Sequence, residues 1–260
     1  MTEPRFFVPP KNIQGLEIRI VGDDVNHIRN VLRLKPGENI IVCDGKGFVY
    51  ETQITKIGKQ EVIARILKHQ VQETLPPDVA LFQGLPKGPK MDFIVQKATE
   101  LGVLKIVPMV TERTVVKLNA IKDGNRVQRW RRIALEAAKQ CQRATLPEVL
   151  EPISLVQSLE LLPNFDSILV FWEGEKKTSV GEVLDDRLAR RTGKSVGRHG
   201  GLESVAVVIG PEGGLTLEEV LVIRDVGGQT VTLGNLILRT ETASIVGLAI
   251  VLYELGKLAG

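Results

Sequence analysis

The chain has 260 residues, 43% hydrophobic and 25% charged, which suits one large or two modest globular domains and excludes a disordered chain. Its two cysteines, Cys43 and Cys141, lie far apart and form no CxxC pair, and the N-terminal MTEPRFFVPPKN lacks the pattern of a signal peptide; these features argue against a thiolate zinc site, a disulfide framework and secretion, and for a reducing, cytoplasmic setting. The net charge of +3 hides a basic centre, since residues 76–143 hold 13 Lys and Arg against 6 Asp and Glu, while 144–260 hold 10 against 16; such a segment suits a polyanion or a solvated helix face.

Residues 1–70 read as β-rich. Two apolar runs flank Asp44-Gly45-Lys46-Gly47, a strong hairpin signal, and Glu61–Leu67 reads as a further strand. Asp23–Leu32 is expected to form a short helix capped by Asp23 or Asp24. Several short strands in about 70 residues suggest a small barrel. Thr74-Leu75-Pro76-Pro77-Asp78 reads as a linker, because paired prolines stop helices and central strands.

Beyond the linker, apolar strands alternate with helices. Strands are expected at Val79–Gln83, Leu104–Val110, Ser167–Trp172, Ser204–Ile209 and Gln229–Leu233, and helices at Met91–Leu101, Asn125–Cys141, Thr216–Val226 and Ser244–Leu258. Strands that are apolar throughout predict an α/β fold with a mostly parallel sheet covered on both faces. The stretch Ser244–Leu255 is too short to span a bilayer and carries Glu254, so a buried helix is expected and no membrane association. Residues 185–203, polar and rich in Gly and Arg, read as a surface excursion.

Four segments carry candidate chemistry. Gly210-Pro211-Glu212-Gly213-Gly214 follows a buried strand and leads into a helix capped by Thr216, with Glu219 completing a capping box. Its glycines admit a ligand to the backbone, although the residues alone also fit a tight turn, and the loop is neither a dinucleotide fingerprint nor a P-loop. Leu233-Gly234-Asn235-Leu236-Ile237-Leu238-Arg239-Thr240-Glu241 leaves another strand and places Arg239 and Glu241 before an apolar helix, an arrangement equally open to an N-cap with a local ion pair. Lys87 and Lys90 sit in a rigid Gly/Pro loop, poised for phosphates. The helix with Trp130 and Ile133 on its packing side carries Arg126, Arg129, Arg131, Arg132, Lys139 and Arg143. In the N-terminal region Arg5, His27, Arg29 and Arg33 are candidate RNA contacts. His27, His69 and His199 are scattered, so no metal is expected.

Together GPEGG, LGNLILRTETA, QGLPKGPKMDFIVQKATELG and HIRNVLRLKPGE, in their order along the chain, resemble the bacterial small-subunit (16S) rRNA uridine-N3 methyltransferases, members of the SPOUT superfamily of knotted methyltransferases. The resemblance covers essentially the whole chain. It implies a PUA-like, RNA-holding β-barrel over residues 1–73 and a SPOUT methyltransferase domain over 78–260, with a deep trefoil knot in its last segments. It implies a homodimer, small-subunit ribosomal RNA as partner, and S-adenosylmethionine lying in the knot against Val170, Phe171 and Trp172, against Gly210, Pro211 and Gly213, and against Leu233, Gly234, Ile237, Leu238 and Thr240. Arg239 and Glu241 match the family pattern; Asn235-Leu236 stand where it usually shows Pro-Arg, and residues 185–203 look like an insertion. For transfer to uridine N3, Arg239 is expected to stabilise the imide charge and Glu241 to accept the proton, or else to orient Arg239. A knotted methyltransferase acting on another RNA and a non-catalytic RNA-binding or ribosome assembly factor are the alternatives.

Overall fold

In the computed structural model the described residues are 3–72, 77–115, 120–185 and 202–258, with the side chains of 120–123 excepted. The linker expected at 74–78 and the excursion expected at 185–203 lie largely outside them. Two units are formed, one from Met1–Thr74 with Ala138–Leu146, the other from Leu75–Ala137 with Pro147–Gly260.

The first unit is a curled, mostly antiparallel sheet. Its strands are β1 (Arg5–Phe7), β2 (Ile13–Gln14), β3 (Glu17–Val21), β4 (Asn39–Cys43), β5 (Phe48–Ile57) and β6 (Glu61–Val71), ordered β1-β4-β5-β6-β3-β2 with only β1 and β4 parallel. Alternation places Ile18, Ile20, Ile40, Val42, Ile54, Val62 and Ala64 in one core and their neighbours outside. The β4–β5 turn is built by Asp44, whose carboxylate accepts the N–H groups of Lys46 (2.8 Å) and Phe48 (3.1 Å). Between β3 and β4 lies α1 (Asp23–Asn26), continued by a π-helical turn over His27–Val31. Its N-cap is Gly22, at φ 78°, and not Asp23 or Asp24. The two aspartates occupy the first turn, where they face the helix dipole, and Lys139 Nζ reaches Asp24 Oδ1 at 2.9 Å.

Residues 138–146 complete this unit, although a contiguous reading of the chain assigns them to the second. Ala144 is buried with Cys43 and Val49. Its N–H donates to Gln72 Oε1 (2.7 Å), and the Leu146 N–H donates to the Gly45 carbonyl (3.0 Å).

The second unit is a parallel sheet of β7 (Asp78–Gly84), β8 (Lys105–Val110), β9 (Glu148–Val149), β10 (Ile153–Ser154), β11 (Ser167–Phe171), β12 (Ser204–Ile209) and β13 (Gly228–Val231). Its order is β10-β8-β7-β12-β11-β13, with β9 also on β8. One face, carrying Val79, Leu81, Leu169 and Val207, packs on α2 (Lys90–Glu100), α3 (Ala120–Gln140) and α6 (Thr240–Glu254). The opposite face, carrying Ala80, Phe82, Ile168 and Val208, packs on α4 (Leu155–Leu161) and α5 (Leu217–Asp225). Both faces are covered, so β11 is buried at every position. Each such Val, Leu, Ile or Phe contributes about 2 kcal/mol by leaving water.

Two helix boundaries differ from expectation. The third helix begins at Ala120 and not Asn125, since Gly124 and Asn125, which read as a boundary, are tolerated inside a helix for about 1 kcal/mol. The last begins at Thr240 and not Ser244, because Arg239 takes the extended N-cap conformation (φ −63°, ψ 150°). After β13 the chain crosses back over β11 and β12, so that α6 packs on β12, β7 and α2.

Candidate active site

Parallel strands bring their carboxyl ends to one edge, where ligands enter such sheets. There an open cavity of about 190 Å³ is lined by residues following β11 (Phe171, Trp172, Glu173, Lys176), by Ile209–Gly214 after β12, and by Thr232–Thr240 after β13, Asn235 and Arg239 excepted.

Each wall is held locally. In the second wall the Gly214 N–H donates to the Pro211 carbonyl (2.9 Å), and Gly214 sits at φ 70°. A Cβ added to Gly210 would stand 2.7 Å from the Gly214 carbonyl carbon, so neither position takes a side chain without shifting the loop. Thr216 and Glu219 form the expected capping box on α5, and Glu219 Oε1 also accepts the Glu112 N–H at 2.7 Å. Arg113 Nη1 donates to the Gly213 carbonyl (2.6 Å). In the first wall the Glu175 carboxylate accepts the N–H groups of Lys177 (2.9 Å), Thr178 (3.2 Å) and Lys176 (3.0 Å) and the Thr230 hydroxyl (2.8 Å). These donors, the Lys177 and Thr178 amides foremost, lower its pKa to about 2.

A buried polar network fastens the second and third walls to β7. Gln83, fully buried at the end of β7, donates from Nε2 to Thr240 Oγ1 (3.0 Å) and accepts from Ser244 Oγ (2.5 Å). The Thr240 hydroxyl donates to the Gly210 carbonyl at 2.7 Å. Beside it a Cβ on Gly84 would lie 2.5 Å from the Pro211 ring, so the chain there permits only glycine.

An ionic cluster lies further along the same seam. Lys90 Nζ is 2.8 Å from Glu212 Oε1 and 3.8 Å from Glu241 Oε2, and Glu212 Oε1 also accepts the Lys87 N–H (3.0 Å). The hydrogen bond to Glu212 raises the Lys90 pKa, with Glu241 adding to it and Arg239 opposing. Burial alone would raise Glu212; the Lys90 hydrogen bond, the backbone N–H groups and the Lys90 charge outweigh it and hold the carboxyl low.

Ten of the eleven residues expected around the cofactor line the cavity, namely Phe171, Trp172, Gly210, Pro211, Gly213, Leu233, Gly234, Ile237, Leu238 and Thr240. Val170 points into the core between the sheet and α5, fully buried. Glu241 meets Lys90 and not Arg239, while the Arg239 side chain is exposed and only its carbonyl is engaged, accepting the Ala243 N–H at 2.8 Å. Lys90, expected to meet phosphate, is already engaged by two carboxylates; Lys87 is exposed. Arg129 pairs with Asp92 on α2, and Arg126 is half-buried. In the first unit Arg5 Nη1 donates to Cys43 Sγ (3.2 Å) and His27 packs edge-on against Phe6. Arg29 and Arg33 are exposed, Arg33 at φ 55°. Among the described residues no His, Cys, Asp and Glu cluster suits a metal, and no helix is long and apolar enough to cross a membrane.

Gln83, Ser244, Glu173, Lys176 and the Glu212–Lys90 pair were not singled out from sequence. The signal for Gln83 was present: one amide in an otherwise apolar strand end, where a buried polar group must find partners.

A family profile described as an RNA methyltransferase domain matches residues 73–252, and one described as an RNA methyltransferase PUA domain matches residues 20–67. The ribosomal RNA small subunit methyltransferase E of Bacillus subtilis is 36% identical over 93% of this chain and 91% of its own length. That of a Synechocystis strain is 30% identical over 94% and 76%. A crystal structure of ribosomal RNA small subunit methyltransferase E from Neisseria gonorrhoeae, bound to S-adenosyl methionine, matches with a TM-score of 0.81 and 31% identity over 97% of this chain and 98% of that one. With its α/β sheet, its strand-end cavity and relatives alike over most of their length, the chain belongs to the RNA methyltransferase family that includes the ribosomal RNA small subunit methyltransferases E.

Proposed function

We propose that the protein transfers a methyl group from S-adenosylmethionine to N3 of a uridine in small-subunit (16S) ribosomal RNA. The observation that carries this is the strand-end cavity, in a chain 31% identical to a protein whose structure holds S-adenosyl methionine. The donor set suits that molecule. Glu173 and Glu212 complement a sulfonium and an ammonium, Lys176 a carboxylate, and the apolar side chains of Phe171, Leu233 and Ile237 an adenine. Phe171, Trp172, Gly210, Pro211, Gly213, Leu233, Gly234, Ile237, Leu238 and Thr240 surround it, with Val170 supporting them from inside the sheet.

When bound, S-adenosylmethionine supplies an electrophilic methyl carbon on sulfur. The chain's part is to align the uridine with that carbon and to manage the N3 proton. N3 bonds to carbon as the carbon–sulfur bond breaks, and the N3 proton leaves to Glu241 or to water. Arg239, exposed and without an ion-pair partner among the described residues, stabilises negative charge on the imide oxygens. RNA is held through Arg5, His27, Arg29 and Arg33 in the first unit and through Lys87, Arg126 and Arg129 in the second, where phosphate contacts give salt-dependent affinity. The exposed apolar residues Val246, Ile250 and Tyr253 on α6 and Phe93 on α2 support a homodimer, acting in the cytoplasm.

The test is Arg239→Ala, assayed for binding by calorimetry and for transfer in single turnovers. S-adenosylmethionine affinity stays within about twofold while transfer falls about 100-fold, the scale of one lost oxyanion donor. Full transfer by Arg239→Ala removes the assignment.

A further inference from the structure

In the scheme above Glu212 and Glu241 have roles but Lys90, which the sequence suggests as a phosphate contact, has none. Its surroundings fit that role poorly. Lys90 lies between two carboxylates, so its charge is already engaged before any phosphate arrives.

The cluster closes a seam that begins at Gln83. The loop 84–90 and the loop 210–214 mate along their length: Gly84 lies against Gly210 and Pro211, and at the other end Glu212 takes two donors from the facing loop, the Lys87 N–H and the Lys90 ammonium. Glu212 itself lines the cavity. The seam therefore has a neutral, buried fastening at Gln83, Thr240 and Ser244 and a charged, half-buried one at Lys90. The neutral one fixes the start of the cavity loop, and the charged one fixes its acidic tip.

Glu241 adds a second, independent observation. Its Oε2 is shut off from solvent and accepts no hydrogen bond, and the Lys90 ammonium at 3.8 Å is the cation facing it. A buried carboxylate oxygen without a donor depends on such a charge to stay where it is. Without Lys90, Glu241 turns toward water and leaves the position from which it would take the N3 proton.

We propose that Lys90 is a positioning residue of the methyl-transfer site: it locks Glu212 into the cavity wall and holds Glu241 beside the reacting base, and it does not bind RNA phosphate. This rests on the function proposed above, so wild-type protein is the control. If wild type binds no S-adenosylmethionine and transfers no methyl group, that function falls; if wild type does both, the variants judge Lys90 alone.

The experiment compares Lys90→Gln, Lys90→Arg, Glu212→Gln and the double variant Lys90→Gln/Glu212→Gln. S-adenosylmethionine affinity is read by calorimetry, single-turnover transfer at saturating donor by mass spectrometry, and affinity for small-subunit RNA across a salt series by filter binding. Lys90→Gln and Glu212→Gln each weaken donor binding about fivefold, the scale of one charge-assisted bond at a half-exposed site. The double variant is no weaker than either, because both remove one interaction. At saturating donor, Lys90→Gln, by itself or in the double variant, still transfers about tenfold more slowly, since loss of the ammonium releases Glu241, whereas Glu212→Gln does not. Lys90→Arg, which keeps the charge, recovers most of both losses. RNA affinity and its salt slope do not change. The proposal is overturned if Lys90→Gln leaves donor binding and saturated transfer intact, or if it weakens RNA binding and lowers the salt slope by about one charge, the signature of a lost phosphate contact.

Discussion

The two sheets of this chain solve burial in opposite ways. In the first unit, β3 alternates buried and exposed side chains, and β6 does so over its first residues before running out into solvent. In the second, β7 buries six of seven residues and β11 all five. A one-sided sheet spends its residues on a single core and offers its outer face and loops to solvent. A two-sided sheet has no free face, so only its strand ends are open, and there the chain gathers three loops, a buried amide network and a charged seam.

Substitutions that strike one region and spare the other sharpen this contrast. The largest effect is expected from Gly84→Val, whose side chain would overlap Pro211. It destabilises the second unit by about 3 kcal/mol and abolishes measurable S-adenosylmethionine binding, read by denaturation and calorimetry. Ala144→Asp places a carboxylate against Cys43 and Val49 and costs about 3 kcal/mol. Its damage stays in the first unit, so donor affinity is retained while RNA binding fails; equal loss of donor binding would deny the separation. Gln83→Leu removes the hydrogen bonds of the amide to Thr240 and Ser244, whose hydroxyls keep the Gly210 and Thr240 carbonyls, costing about 2 kcal/mol and weakening donor binding without touching the first sheet.

Glu175→Gln is milder and depends on pH. The carboxylate is lowered from 4.5 to about 2 in the folded chain, so its contribution is fully present above pH 4.5 and is lost as pH falls toward 2. The variant therefore melts below wild type at pH 7, and the gap closes by pH 2; a gap independent of pH would rule out the carboxylate as its source. The smallest effect belongs to Arg29→Ala, which changes stability by less than about 0.5 kcal/mol and lowers the salt slope of RNA binding by about one.

Much of this was legible in the sequence, for reasons visible in particular segments. The apolar Ser167–Phe171 and Ser204–Ile209 announce a covered parallel sheet, Asp44-Gly45 the hairpin of the first unit, and Thr216 with Glu219 a helix start. The cavity walls were readable because their glycines and the Leu233–Thr240 segment are contiguous. What stayed hidden is what only the fold brings together. Gln83 meets Ser244 across 161 positions, and Lys90 meets Glu212 across 122. Residues 138–146 join the first unit from the far end of a long helix, and nothing in a helical pattern says where its last turn docks. The pairing of Glu241 with Lys90, and not with its near neighbour Arg239, follows from the Arg239 cap, which turns the chain between them.

The most direct test of the central claim is to incubate the protein with S-adenosylmethionine and unmodified small ribosomal subunits, digest the RNA and map the product by mass spectrometry. N3-methyluridine is expected at a single site and is lost with Arg239→Ala. Methylation at another atom, or transfer to another RNA with none to the small subunit, would contradict it.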